Sequence, residues 1–209
     1  MAGYLHVRDV QANASIFAVD QPGEVVYMIR SGTVKVHVEQ ADGSDVILAI
    51  LGPGEILGEL SLIDRLGRSA NAVTMERTSL AWMDYATFVD CLQTMPTLAH
   101  NLVGILSRRL RLANAHIESL TTEKVSGRVA RQLLALAHEY GVPRGDGGDG
   151  DGAVRIPLRL TQTDFAGLIG ATRVSVNHVL MKFKEQNFIS MEQDRITIRD
   201  REALVRECG

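Results

Sequence analysis

Two hydrophobic rhythms meet near Asp84, and no fold with a single kind of secondary structure accommodates both. From Glu24 to Asp84 apolar and polar residues alternate, and turn dipeptides recur about every ten residues, the pattern of many short antiparallel strands. Val34, Val36 and Val38 face one way, while Lys35, His37 and Glu39 face the other. Ser31-Gly32, Ala41-Asp42-Gly43-Ser44 and Gly52-Pro53-Gly54-Glu55 supply turn chemistry. With no long crossover helix between the strands, a barrel, sandwich or jelly roll is expected.

Beyond Asp84 the spacing becomes three and four. Tyr85 to Cys91 and Thr97 to Lys124 read as helices, and Leu98, Leu102, Ile105, Leu106, Leu110, Ala113, Ile117 and Leu120 form one stripe. Pro96 suits a first helical position. At 1.5 Å per residue the helix is a rod of roughly 40 Å, more than a small domain needs to cover its own core. The stripe predicts a parallel homodimer; the alternative is a helix folded back on its own barrel.

A second helix is expected from Val125 to Tyr140, followed by a loop from Gly141 to Gly152. Asp146, Asp149 and Asp151 invite a calcium reading, but alternating oxygen ligands closed by a Glu at the twelfth position are missing, so a solvated loop is expected. Ala153 to Leu160 alternates as a strand. Next, Thr161 can cap a helix with Asp164 three residues on, Phe165, Leu168 and Ile169 fill its buried side, Gly170 ends it, and Thr172 caps another that buries Val176, Val179, Leu180 and Phe183. This is a helix-turn-helix spacing whose outward face carries Arg173, Ser175, Asn177, His178 and Lys182, residue types that reach base edges and phosphates. A hairpin over Ile189 to Ile198 completes a winged helix.

Lys and Arg total 22 against 25 Asp and Glu, a net charge of −3, which by itself points away from nucleic acid. Split at Glu123, the charge resolves into −5 before and +2 after, an excess that a solvated surface would explain equally well. No apolar run spans a membrane and no signal peptide precedes the strands, so a cytoplasmic protein is expected. Cys91 and Cys208 are far apart, without CxxC or nearby His, and read as free thiols.

The most informative string is Ile56-Leu57-Gly58-Glu59-Leu60-Ser61-Leu62 followed by Arg68-Ser69-Ala70. A cyclic nucleotide presents an anionic phosphate, a ribose hydroxyl and a flat purine. A guanidinium and a hydroxyl suit the phosphate, as Arg68 and Ser69 would, and a carboxylate beside a glycine suits the ribose, as Glu59 and Gly58 would. A salt bridge between Glu59 and Arg68 across a turn accounts for the same residues.

This cassette, the long helix and the C-terminal helix-turn-helix together resemble the cyclic AMP receptor protein/FNR (Crp/Fnr) family of bacterial transcription regulators, in the same element order from about Phe17 to Ile198. The resemblance implies an α+β architecture: an N-terminal jelly-roll β-barrel that binds cyclic nucleotides (residues 1–95), a dimerisation helix (96–124) and a winged helix-turn-helix domain (125–209). It implies a homodimeric, sequence-specific DNA-binding regulator rather than an enzyme, with double-stranded DNA and RNA polymerase as partners and cyclic AMP or a related nucleotide as effector.

Residue by residue, the resemblance implies that Glu59, beside Gly58, receives the ribose hydroxyl, that Arg68 and Ser69 hold the phosphate, that Leu48, Leu57 and Leu60 wall the pocket with Ser61 in the same cassette, and that Arg109 closes it. Members that bind cyclic AMP carry Thr then Ser where this chain has Ala113 and Asn114, so one purine contact is lost unless Asn114 replaces it. A constitutively active protein with a lost or different effector is therefore the alternative. Arg173 matches the family's reader of guanine, while Val174 and His178 depart from the usual Glu and Arg, so an altered operator is expected. Thr161, Gln162, Thr172, Ser175 and Lys182 are assigned to phosphates. The iron–sulfur branch needs N-terminal cysteines, and none precedes Gly58, so neither iron–sulfur, haem nor another metal is expected. The helix that normally precedes the barrel is expected to be absent or reduced. A cupin-type barrel enzyme would need more imidazoles than His37.

Overall fold

The computed structural model describes residues 5–41, 43–143, 152–193 and 195–208. Its contacts divide the chain into two units, Met1–Asn114 and Ala115–Gly209.

The first unit is a roll of eight strands: β1 (His6–Val10), β2 (Ser15–Phe17), β3 (Val25–Ser31), β4 (Val34–Glu39), β5 (Asp45–Leu51), β6 (Ile56–Leu57), β7 (Asn71–Thr74) and β8 (Thr78–Asp84). They pair in two four-stranded sheets, β1-β8-β3-β6 and β2-β7-β4-β5, so the expected barrel is an open, two-sheet roll rather than one closed cylinder. Tyr27, Ile29, Val34, Leu51, Leu57, Ala72 and Leu80 fill its core. Lys35 and His37 share a face of β4 as their alternation requires, and both reach Asp45 on β5, at 2.7 Å each. Two strands precede the first one legible in the sequence: β1 pairs with β8 from His6–Trp82 to Val10–Thr78, and β2 pairs with β7.

Three helices complete this unit: α1 (Glu59–Asp64), α2 (Tyr85–Thr94) and α3 (Pro96–Thr122), which continues past Asn114. Asp84 caps α2 by accepting the Thr87 N–H at 2.8 Å, a bond that holds the Asp84 carboxyl below its ordinary pKa. The single stripe expected along α3 divides in two. Leu102 packs with Val26, Leu62 and Phe88 in a second core cluster, joined by Leu106. Leu110 and Ile117 of that stripe remain 63% exposed each, and Val103, outside the expected stripe and seven residues before Leu110, is 62% exposed.

The second unit contains α4 (Val125–Tyr140), β9 (Val142–Pro143), β10 (Val154–Ile156), α5 (Gln162–Ile169), α6 (Arg173–Glu185), β11 (Ile189–Glu192), β12 (Arg195–Ile198) and α7 (Arg201–Glu207). Its sheet runs β11-β12-β10-β9. The strand expected from Ala153 to Leu160 pairs only over Val154–Ile156, because Pro157 has no N–H with which to extend the ladder. Leu133, Phe165, Ile169, Leu180, Phe183, Ile156, Ile196 and Leu204 are buried at its centre. The acidic loop with Asp146, Asp149 and Asp151 lies outside the described residues. Among the described residues no helix is long and apolar enough to cross a membrane.

Candidate effector site and nucleic-acid interface

The cassette is organised by Gly58, whose φ of 83° is left-handed and turns β6 directly into α1. A Cβ there would sit 2.3 Å from Arg68 Nη1, so glycine is required for space as well as for conformation. Arg68 is buried. Its Nη1 donates to Gly58 O and its Nη2 to Val25 O, each at 2.7 Å, and its guanidinium lies 4.3 Å above the Phe17 ring. Its Nε is also buried, without a partner among the described residues. Burial lowers the Arg68 pKa, opposed by Tyr27 and Glu59. A buried guanidinium held by carbonyls and an aromatic face, with a donor to spare, has the chemistry of an anion site.

Glu59 is 2% exposed and is not tied to Arg68 across a turn; its Oε1 accepts from Arg109 Nη1 of α3 at 2.7 Å. Arg109 Nη2 donates to Glu55 Oε2 at 2.9 Å and to Ile56 O at 2.6 Å. Thus Arg109, expected to close the pocket, is locked to the cassette by three acceptors. Glu55 was legible only as part of a turn, and its role depends on a cation fifty-four residues away. Ser61 is buried against Gly23, where a Cβ would approach Ser61 Cβ to 2.1 Å, a close packing with no local sequence signal.

The other effector residues are dispersed. Leu57 belongs to the core, whereas Leu48 and Leu60 are 56% and 43% exposed, and Ser69, Ala113 and Asn114 lie at the surface. His37 Nδ1 contacts Asp45, and among the described residues no group of three His, Cys, Asp or Glu converges as a metal site would. Cys91 and Cys208 are free thiols.

In the second unit the helix-turn-helix is built by its caps. Thr161 and Asp164 form a reciprocal capping box on α5, Gly170 closes α5 with φ 62°, and Thr172 Oγ1 accepts the Ser175 N–H at 3.2 Å to open α6. Arg173, Val174, Asn177 and His178 are exposed on α6, Val174 by 80%. Gln162, Arg173, Val174 and Asn177 line one surface hollow. The residues assigned to phosphates all have protein partners: besides the caps at Thr161 and Thr172, Thr172 Oγ1 and Ser175 Oγ lie 2.9 Å apart, Gln162 Nε2 donates to Asn177 Oδ1 at 2.8 Å, and Lys182 Nζ lies 3.3 Å from Glu207 Oε1.

A jelly roll with a buried arginine–glutamate cassette, followed by a winged helix-turn-helix, defines a sensor joined to a DNA reader. Comparison with known proteins agrees: residues 7–95 match the cyclic nucleotide-binding domain, and residues 127–207 match the Crp-like helix-turn-helix domain. The chain is 35% identical over 198 residues to a CRP-like cAMP-activated global transcriptional regulator of Mycobacterium tuberculosis, covering 95% of this chain and 86% of that one. It is 31% identical over 185 residues to a cyclic AMP receptor protein of Thermus thermophilus, covering 88% and 80%. Its fold superposes on FixK2 from Bradyrhizobium japonicum with a TM-score of 0.84 at 21% identity, covering 98% of both chains. The chain belongs to the Crp/Fnr family of DNA-binding transcription regulators.

Proposed function

We propose that this regulator works in the cytoplasm as a homodimer whose hold on double-stranded DNA is set by a cyclic nucleotide, with cyclic AMP the first candidate. The observation that carries this reading is the pairing of buried Glu59 with Arg109 of the long helix, beside a buried Arg68 that has a donor to spare. Glu59 receives the ribose hydroxyl, and Arg68 with Ser69 receives the phosphate. Because Arg109 belongs to α3, a ligand at Glu59 bears directly on the helix that continues beyond the sensor unit. A ligand shifts such a switch only through unequal affinity for its two states.

Dimerisation is carried by the exposed heptad Val103, Leu110 and Ile117 on α3. Arg173 reads guanine, Val174 meets a thymine methyl and His178 donates to a purine or a phosphate. Thr161, Thr172 and Ser175 position the reader on phosphates, and RNA polymerase is the partner through which bound regulator acts on transcription.

Titration calorimetry of the wild type and Arg68→Ala with cyclic AMP and cyclic GMP tests the effector. Binding to the wild type alone supports the reading. No heat with either nucleotide, together with DNA binding indifferent to both, establishes instead a constitutive regulator. One observation favours that second reading: Ala113 has no polar side-chain atom for a purine.

A further inference from the structure

Asn177 and Gln162 stand on different helices of the DNA-reading unit, yet they are joined by a side-chain hydrogen bond of 2.8 Å. Gln162 is the first residue of α5, directly after the Thr161 cap, so its Cα is fixed by a capping box. Asn177 lies one turn along α6 from Arg173, and all three residues line the same hollow as Val174.

An unrestrained asparagine amide reads bases poorly, because a half-turn about its last torsion exchanges acceptor and donor. Held one way, it matches adenine, whose major-groove edge offers the N6 donor and the N7 acceptor; held the other way, it turns its NH2 toward the O6 acceptor of guanine. Gln162 Nε2 donates to Asn177 Oδ1, and this bond opposes the half-turn of the Asn177 amide. One lone pair of Oδ1 is used, leaving the other lone pair and the two Nδ2 hydrogens. That remaining set complements adenine and sets an oxygen against guanine O6.

We infer that Asn177 is a specificity-determining residue that reads one adenine in each operator half-site, and that Gln162 is the positioning residue that makes the reading selective for adenine over guanine. This inference rests on the DNA-binding reading of the unit, and it reassigns Gln162 from a phosphate contact to a support for base readout. Arg173 and Asn177, four residues apart, have Cβ atoms about 6 Å apart. Base pairs rise about 3.4 Å each, so the adenine lies within one or two steps of the guanine read by Arg173.

The test uses the full chain, with and without added cyclic AMP, and duplexes carrying an inverted repeat randomised over each half-site, with the bound fraction sequenced. The wild type is expected to favour adenine over guanine by about tenfold at one position per half-site. Asn177→Ala should abolish that preference while keeping the guanine read by Arg173. Gln162→Ala should reduce it to about twofold or less, with the melting temperature little changed; an unchanged preference overturns the positioning role. Replacing the adenine by 7-deazaadenine, which lacks N7, should weaken the wild type about fivefold or more and leave Asn177→Ala unaffected. Selected sites with no adenine that responds to Asn177→Ala overturn the inference while leaving the DNA-binding reading intact. Failure of the wild type to select any sequence overturns that underlying reading.

Discussion

Replacing Gly58 by Ala separates two costs that coincide at the cassette turn. A non-glycine residue in the left-handed region costs about 1–2 kcal/mol. At Gly58 the added Cβ would also lie 2.3 Å from Arg68 Nη1 and 3.1 Å from its Cζ. The guanidinium cannot retreat cheaply, because Val25 O holds its other nitrogen at 2.7 Å and Phe17 covers its face. Its bond to Gly58 O is therefore lost, and a hydrogen bond from a charged donor contributes about 1.5–3 kcal/mol. Gly54 is the control: its φ is 89°, but a Cβ there meets nothing within 4 Å. Gly58→Ala should thus destabilise the sensor unit by about 2.5–5 kcal/mol and Gly54→Ala by only about 1–2 kcal/mol. Trp82, the sole tryptophan, lies on β8 of this unit, so urea unfolding followed by its fluorescence reads the sensor directly. In an Arg68→Ala background the two costs should converge. Equal costs in the wild-type background would refute the argument that the Arg68 anchor sets the rigidity of this turn.

Arg109→Ala should cost the sensor unit about 3 kcal/mol in the same unfolding assay, because it strands the buried Glu59 carboxylate, and adding Glu59→Gln should recover much of the loss. Burial, reinforced by Arg128, holds the His116 imidazole below its ordinary pKa. The unfolded chain therefore takes up the proton first, so stability is full above about pH 6.5 and falls as pH drops through that value toward the folded pKa; circular dichroism of urea unfolding between pH 5 and 8 should show a shallower dependence in His116→Gln. Leu110→Glu, at a position 63% exposed in the protomer, should convert a dimer to a monomer in sedimentation while changing sensor stability by no more than about 0.5 kcal/mol.

Legibility in the sequence follows the range over which each feature is encoded. The reader domain was accessible because its limits are set by neighbours: Thr161 with Asp164, Gly170 in the left-handed region, and Thr172 with Ser175. The cassette was accessible because Gly58, Glu59, Arg68 and Ser69 lie within one short segment. The partners of those residues were not. Arg68 bonds to the main chain of Val25 and Gly58, and any residue supplies a carbonyl. Strand β1 is exposed over four of its five residues and earns its place only by pairing with β8, so no alternation marks it. Along α3 the spacing identified apolar residues but not their neighbours. Leu102 is buried against Val26, Leu62 and Phe88, while Val103, one residue on, points away from that core.

The arrangement of Arg68 bears on how a nucleotide could act as a switch rather than as mere filling. Two of its nitrogens bond main-chain carbonyls with one N–H each, while Nε is buried without a partner among the described residues, so under the proposed function a phosphate would meet Nε as a donor not already engaged. Glu59 immediately follows Gly58 and carries the bond to Arg109 on α3. Under the proposed function, a phosphate that drew Arg68 Nη1 away from Gly58 O would loosen the turn that carries the Glu59–Arg109 pair, whereas a ligand that only filled the roll would leave both anchors in place. Unequal affinity for two arrangements of the cassette, which any effector-controlled regulator requires, would then have a local source in the bond between Arg68 and Gly58 O.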